Sequence, residues 1–273
     1  FALAMLRKYI RRHQMPAFLL VAFGWTWMWD AIYYTFGWWE TLPTTFPRQW
    51  GVPLGAIVVI WASDVPLGAW ITGTFEWRVH PGLYLVAIAV PLVVTNVQPV
   101  IRALGGGSVT YSPPATLPLI TLFVLANMVV LGGTEELGWR GFLQSSLQEH
   151  TSVLTAGLGV GVLWWAWHLP LFLGHQNFVL EPVPFLRYTV FVIGASAVFG
   201  AFVNVTAGRV LPLMLMHAST NLGALFESSG GVLENSPLVS LVVGSGLWWL
   251  IAIGLVARYG RSMVPKSKLE ALS

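Results

Sequence analysis

Six polar residues stand within otherwise apolar stretches of the sequence, and their types suit the hydrolysis of an acyl bond. They form three clusters along the chain: Glu135, Glu136 and Arg140; His168; and His217 with Asn221. Ionisable side chains are costly in lipid and persist there mostly where chemistry or transport needs them. Together the clusters supply bases that activate water and donors that stabilise a developing negative charge.

The spacing of the first cluster separates its two carboxylates. Each residue of an α-helix turns by about 100°, so Glu136 and Arg140 share a face and pair, whereas Glu135 points away. This spacing predicts a neutralised Glu136 and a Glu135 that is free to act as a base. The alternative is a salt bridge that merely accommodates two acids at a helix end.

The other two clusters follow the same four-residue spacing. Trp164 and His168 share a helix face, and an antiparallel hairpin of the two spans would place His168 at the depth of Glu135, so that one water touches both. His217 and Asn221 also share a face and offer N–H donors for an oxyanion. Hydrogen bonding between helices is the alternative for both clusters.

Composition places the chain in a membrane. It has 273 residues, of which 56% are hydrophobic and only 9% charged, and its mean hydropathy is +0.70. A soluble domain carries about a quarter charged residues. The sequence contains no cysteine, which excludes thiolate catalysis and disulfides. The net charge of +3 gathers at the ends of the chain, which is not the pattern of a nucleic-acid-binding protein.

The predicted fold class is all-α, a polytopic membrane helical bundle that forms a single domain over residues 1–273. Apolar runs close to the ~20 residues of a spanning helix predict eight transmembrane helices at 15–36, 52–72, 82–101, 117–147, 153–174, 185–206, 210–227 and 238–258. Gly157, Gly159 and Gly161 predict a face of close helix packing in the fifth. Asp30, Asp64, Asn96 and Gln98 are interpreted as interhelical hydrogen bonders or groups that contact water.

Basic residues set the predicted orientation. Four precede the first span and four follow the last: Arg7, Lys8, Arg11, Arg12, Arg258, Arg261, Lys266 and Lys268. With eight spans both tails lie on one side, and only Arg48, Arg102 and Arg187 fall on the other. Because cytoplasmic loops are rich in Lys and Arg, both termini are predicted to be cytoplasmic.

The motifs resemble the CPBP family, which includes the type II CAAX prenyl endopeptidases and bacteriocin-processing enzymes. The family pattern consists of EExxxR, FxxxH and HxxxN in this order. The chain has Glu135-Glu136 with Arg140, Trp164 with His168, and His217 with Asn221. The resemblance covers a core of about 117–227, and Trp164 replaces the commoner phenylalanine.

The resemblance implies a glutamate-dependent intramembrane endopeptidase. Glu135 and His168 would activate a water, His217 and Asn221 would stabilise the oxyanion, and Glu136 with Arg140 would hold the geometry. Trp164 would form a substrate wall. The implied partners are a membrane-associated peptide or protein substrate, the lipid bilayer and partner membrane subunits, with no nucleic acid. The implied location is a prokaryotic plasma membrane.

Three other interpretations stay open on the sequence alone. No cofactor is predicted, but two glutamates and two histidines are also a donor set for zinc. A scaffold, immunity protein or partner subunit without protease activity would keep the fold. A transporter would account for the buried charges, although no symmetrical pair of broken helices is visible.

Overall fold

The computed structural model describes residues 1–41, 46–113, 115–175, 178, 180–234 and 236–267. Its α-helices, in chain order, are α1 (Ala2–Arg12), α2 (Gln14–Phe36), α3 (Trp38–Thr41), α4 (Gly51–Ala62), α5 (Leu67–Thr74), α6 (Pro81–Leu104), α7 (Leu117–Val129), α8 (Glu136–Gly138), α9 (Ser145–Gln148), α10 (Val153–His168), α11 (Pro182–Val205), α12 (Leu211–Asn221), α13 (Pro237–Gly244) and α14 (Gly246–Tyr259). The remaining elements are 3₁₀ turns at Arg48–Trp50, Gly132–Glu135, Leu169–Leu173 and Gly260–Ser262, a π-helix at Trp139–Gln144, and the strands β1 (Ser108–Tyr111) and β2 (Phe226–Ser229).

Long apolar helices dominate the fold, as the sequence predicts. Within the described residues, six helical runs have the length and composition to cross a membrane: Gln14–Phe36, Pro81–Leu104, Leu117–Gln148, Val153–Leu173, Pro182–Val205 and Pro237–Ser262. These helices have the length and composition expected of a polytopic membrane protein. The number eight and the cytoplasmic position of the termini remain predictions, and Lys268 lies outside the described residues.

The predicted spans 52–72 and 210–227 are not continuous helices in the structure. The run 52–72 is divided between α4 and α5, because the chain is extended at Pro66 and the Ser63 hydroxyl accepts a hydrogen bond from the Val65 amide. The run 210–227 is helical only over α12. Gly223 then adopts a positive φ of 82°, and the Leu225 amide donates to Asn96 Oδ1. Strand β2 follows and pairs antiparallel with β1, an element that the all-α prediction did not include.

Helices α10 and α11 pack closely through glycine, which confirms the predicted packing face at two of its three positions. A Cβ added to Gly161 would lie 2.9 Å from the Ser196 Cβ, and one added to Gly157 would lie 3.1 Å from the Ala197 Cα. Gly159 instead faces Leu147 at an ordinary contact distance of 3.7 Å. The contact between α10 and α11 therefore depends on the absence of two side chains.

The run 117–148 is not the regular helix that the sequence predicts. Helix α7 ends at Val129, a 3₁₀ turn covers Gly132–Glu135, and a π-helix follows from Trp139. This turn leaves no room for a side chain at Gly133. A Cβ there would lie only 2.7 Å from the Met128 Cα and 2.9 Å from the Met214 carbonyl oxygen. The directions of the Glu135 and Glu136 side chains therefore depend both on this break in the helix and on the rotation of the chain between consecutive residues.

Candidate active site

Glu136 lies at the centre of a buried charge cluster. Its Oε1 lies 2.7 Å from His217 Nδ1, and its Oε2 lies 3.4 Å from Arg140 Nη1. The other guanidinium nitrogen, Arg140 Nη2, donates to the Ser196 hydroxyl at 3.0 Å, and that hydroxyl donates to the Gly157 carbonyl oxygen at 2.8 Å. The cluster therefore links four segments of the chain through one carboxylate, one arginine and one serine hydroxyl.

The Glu135 side chain points away from the Glu136 cluster and accepts a hydrogen bond from a tryptophan indole. Its Oε2 accepts a hydrogen bond from Trp164 Nε1 at 2.9 Å, and its side chain lines a cavity. Trp164, expected as a substrate wall, is 5% exposed and also lines this cavity. The hydrogen bond from Trp164 to Glu135 was not predicted. The sequence feature that could have indicated this hydrogen bond is Trp164 itself. The family pattern has phenylalanine at this position, and phenylalanine lacks an N–H.

His168 has a defined tautomer when its ring is neutral. Its Nδ1 lies 2.8 Å from the Trp164 carbonyl oxygen, so Nδ1 carries the proton and the Nε2 lone pair is left available. The ring stacks on Phe178 with centroids 6.2 Å apart and meets Tyr188 edge to face. His168 lines the same cavity as Glu135.

His217 and Asn221 converge on the α-carbon of Gly132. A Cβ added to Gly132 would lie 2.7 Å from Asn221 Nδ2 and 2.9 Å from His217 Nε2. Both nitrogens therefore border the space that a side chain at Gly132 would occupy. Because His217 Nδ1 faces Glu136, the Nε2 edge of the ring is the one presented to the cavity.

One cavity of about 510 Å³ brings most of the predicted site together. Five of the seven predicted residues line it: Glu135, Trp164, His168, His217 and Asn221. Glu136 and Arg140 are fully buried and lie behind this lining. Of the predicted residues, the lining thus presents one glutamate and two histidines, beside the unpredicted His175, while the second glutamate and its arginine support them from within the protein.

A buried ion pair beside the cavity was not predicted. Arg48 Nε lies 2.6 Å from Asp30 Oδ1, both side chains are 2% exposed, and the guanidinium lies over the Trp167 ring. Arg48, which the sequence assigns to the side of the membrane opposite the termini, is buried in the cavity wall. Asp30 does join two segments, as expected. Asp64 is exposed and pairs with Arg11 of α1, which also fits its interpretation.

The zinc alternative finds no support in the donor arrangement. Among the residues that the structure describes, no group of three or more His, Cys, Asp or Glu side chains is placed to hold a metal ion. His168 Nδ1 faces a backbone carbonyl, and His217 Nδ1 faces Glu136. No step of the reaction below is therefore assigned to a metal.

Comparison with known proteins finds a family that is similar to part of the chain. Residues 117–223 match the model of the Rce1-like type II CAAX prenyl endopeptidases. This segment is therefore similar to the Rce1-like family. A CAAX prenyl protease 2 of Methanococcus maripaludis is 35% identical to the chain over 65 residues, which are 24% of this chain and 22% of that protein. The chain thus matches about a fifth of the curated relative's length.

The Rce1-like segment contains all seven predicted site residues, whereas Arg48 and Asp30 precede it. Four cavity residues precede the segment in sequence: Trp38, Trp39, Arg48 and Gln49. The cavity is therefore formed jointly by the Rce1-like segment and by the chain before it. The motifs, which all lie within residues 117–223, therefore could not predict the part of the cavity wall that precedes this segment.

Proposed function

We propose that this protein is an intramembrane endopeptidase in which Glu135 and His168 activate a water for attack on a peptide bond. The observation that carries the proposal is the shared cavity, which is lined by the Glu135 carboxylate, the His168 imidazole, and the His217 and Asn221 side chains that lie beside Gly132. The Rce1-like match of residues 117–223 supports the same class of reaction.

In the first step, the Glu135 carboxylate takes a proton from water while the oxygen attacks the scissile carbonyl carbon. Its Oε2 accepts from Trp164, so Oε1 is the atom assigned to the water. The Nε2 lone pair of His168 accepts a hydrogen bond from the same water and orients it. A positioned base of this kind contributes about 10²- to 10⁴-fold in rate.

The carbonyl oxygen becomes an oxyanion, for which His217 and Asn221 are the proposed donors. Donation from His217 Nε2 requires an imidazolium, because Nδ1 already faces Glu136. A protonated His217 also balances charge: with Arg140 it offsets the two glutamates, and a neutral cluster is less costly to bury. Glu135 then passes its proton to the departing amine, the C–N bond breaks, and a carboxylic acid and an amine are released.

The substrate proposed is a membrane-associated peptide or protein. The relative is named a prenyl protease, so prenylated peptides are the first to test, with unprenylated versions of the same sequences beside them. The proposed location is a prokaryotic plasma membrane. Partner membrane subunits remain a prediction.

The test uses the detergent-purified chain and quenched fluorescent peptides, with Glu135→Gln and His168→Ala as the site variants. Glu149→Gln and His150→Ala are matched controls, because both residues are exposed and closely follow the first motif in sequence. We expect both site variants to lose at least 10²-fold in kcat while their thermal midpoints stay near that of the wild type.

Retained cleavage in both site variants would refute the proposal. Cleavage that a chelator abolishes would require a metal mechanism instead. A protein that cleaves no peptide, yet keeps its cellular role after Glu135→Gln and co-purifies with a stoichiometric partner, would be a scaffold with the protease fold.

A further inference from the structure

Helix α7 buries one polar side chain at its end. The Asn127 side chain is 6% exposed and lines the cavity, whereas leucines along the same helix, such as Leu122 and Leu125, are more than half exposed. Burying an amide without a hydrogen-bond partner costs free energy. The hydrogen-bond partner of Asn127 therefore indicates the role of an asparagine in this otherwise apolar helix.

That partner is the proposed oxyanion donor Asn221. Asn221 Nδ2 donates to Asn127 Oδ1 at 3.2 Å. An asparagine amide has a broad, roughly two-fold torsion, so without a partner it can present either its oxygen or its nitrogen to a given point. Because Asn127 Oδ1 accepts a hydrogen bond, it favours the orientation of the Asn221 amide in which Nδ2 lies beside Gly132. The second hydrogen on Asn221 Nδ2 is then also beside Gly132.

We infer that Asn127 is a positioning residue that holds the Asn221 amide with its N–H group toward the oxyanion. The inference rests on the function proposed above and adds a residue outside the three motifs. Without Asn127, the Asn221 amide rotates, and a carbonyl oxygen faces the developing negative charge for part of the time. The cost falls on the transition state and leaves ground-state binding of the peptide largely unchanged.

The test is a double-mutant cycle on the purified full chain with the peptides described above. Asn127→Leu removes the acceptor at similar volume, and Asn221→Ala removes the donor. We expect Asn127→Leu to lower kcat roughly tenfold with KM within about twofold, since losing a whole oxyanion donor costs about 10²- to 10³-fold. In the Asn221→Ala background, Asn127→Leu should have no further effect on kcat.

Two further variants separate positioning from general damage. Asn127→Gln keeps an uncharged amide oxygen that can accept from Asn221 and should recover part of the lost kcat. Thr121→Val removes an exposed hydroxyl that bonds within α7 itself, and it should leave kcat unchanged. Thermal midpoints for all variants report whether the fold persists.

The outcomes distinguish this inference from the proposed function. If the wild type cleaves and Asn127→Leu lowers kcat equally in both backgrounds, Asn127 acts independently of Asn221 and the inference is wrong. An unchanged kcat in Asn127→Leu would overturn it as well. A wild type that cleaves no peptide would remove the proposed function and the inference together.

Discussion

Gly132→Ala is the sharpest single change that the site offers. The added methyl carbon would lie 2.7 Å from Asn221 Nδ2 and 2.9 Å from His217 Nε2, whereas ordinary contacts begin at 3.4 Å. Both atoms are the ends of side chains, so they can move away by about 0.5–0.7 Å without displacing the backbone. Gly132 is not among the glycines with positive φ, so alanine fits its backbone conformation.

The expected result is a loss of kcat with little loss of stability. Misplacing catalytic groups by 1 Å costs about 10²-fold, so a smaller shift of two oxyanion donors should cost between about tenfold and a hundredfold. This loss corresponds to roughly 1.4–2.7 kcal/mol of transition-state stabilisation. KM should change little, because the donors act on a charge that develops after binding.

The assay compares kcat, KM and thermal midpoint for the wild type, Gly132→Ala and Gly24→Ala in one detergent. Gly24 lies in α2, and no atom of the described residues falls within 4 Å of its added Cβ, which makes it a matched control. Gly133→Ala would be unsuitable, because its methyl would meet backbone atoms. A folded Gly132→Ala protein with wild-type kcat would refute the placement of the oxyanion beside Gly132.

Three further predictions use other contacts of the site. Asp30→Asn leaves a buried arginine unpaired and should cost about 3–5 kcal/mol of stability, seen as a lower thermal midpoint, whereas Asp64→Asn in an exposed pair should change it little. Trp164→Phe keeps the aromatic ring but removes the N–H bonded to Glu135, and it should lower kcat about tenfold or less, in contrast to the larger loss in Glu135→Gln. Burial and the charge of a nearby arginine lower the pKa of His175 below its usual value near 6.5, so protonation favours the unfolded chain. The thermal midpoint should therefore fall more steeply below about pH 6.5 in the wild type than in His175→Gln, and parallel curves would contradict this.

The sequence predicted the membrane helices and the meeting of the three motifs, because both follow from short-range regularities. Long apolar runs report spanning helices, and residues four apart share a helix face. The same rule anticipated the pair of Glu136 with Arg140, which the structure has at 3.4 Å. The prediction that Glu135 acts as the base is left to the kinetic test.

The rest of the site depends on contacts between distant segments, which spacing cannot reveal. The pair of Arg48 with Asp30 joins two segments across the first predicted loop, and neither residue belongs to a motif. Asn127 was not singled out, because a lone asparagine in an apolar run resembles any interhelical hydrogen bonder. The break at Gly132 was read as continuous helix, since glycines within a hydrophobic run do not by themselves mark a turn.

The close glycine contact between α10 and α11 limits which substitutions the protein tolerates there. Ser196, which receives the hydrogen bond from Arg140, also supplies the Cβ that lies 2.9 Å from the missing side chain of Gly161. A methyl group at Gly161 would separate the helices and carry the Ser196 hydroxyl away from the guanidinium. A position without a side chain, outside the cavity lining, is therefore expected to be as intolerant in a mutational scan as the charged residues themselves.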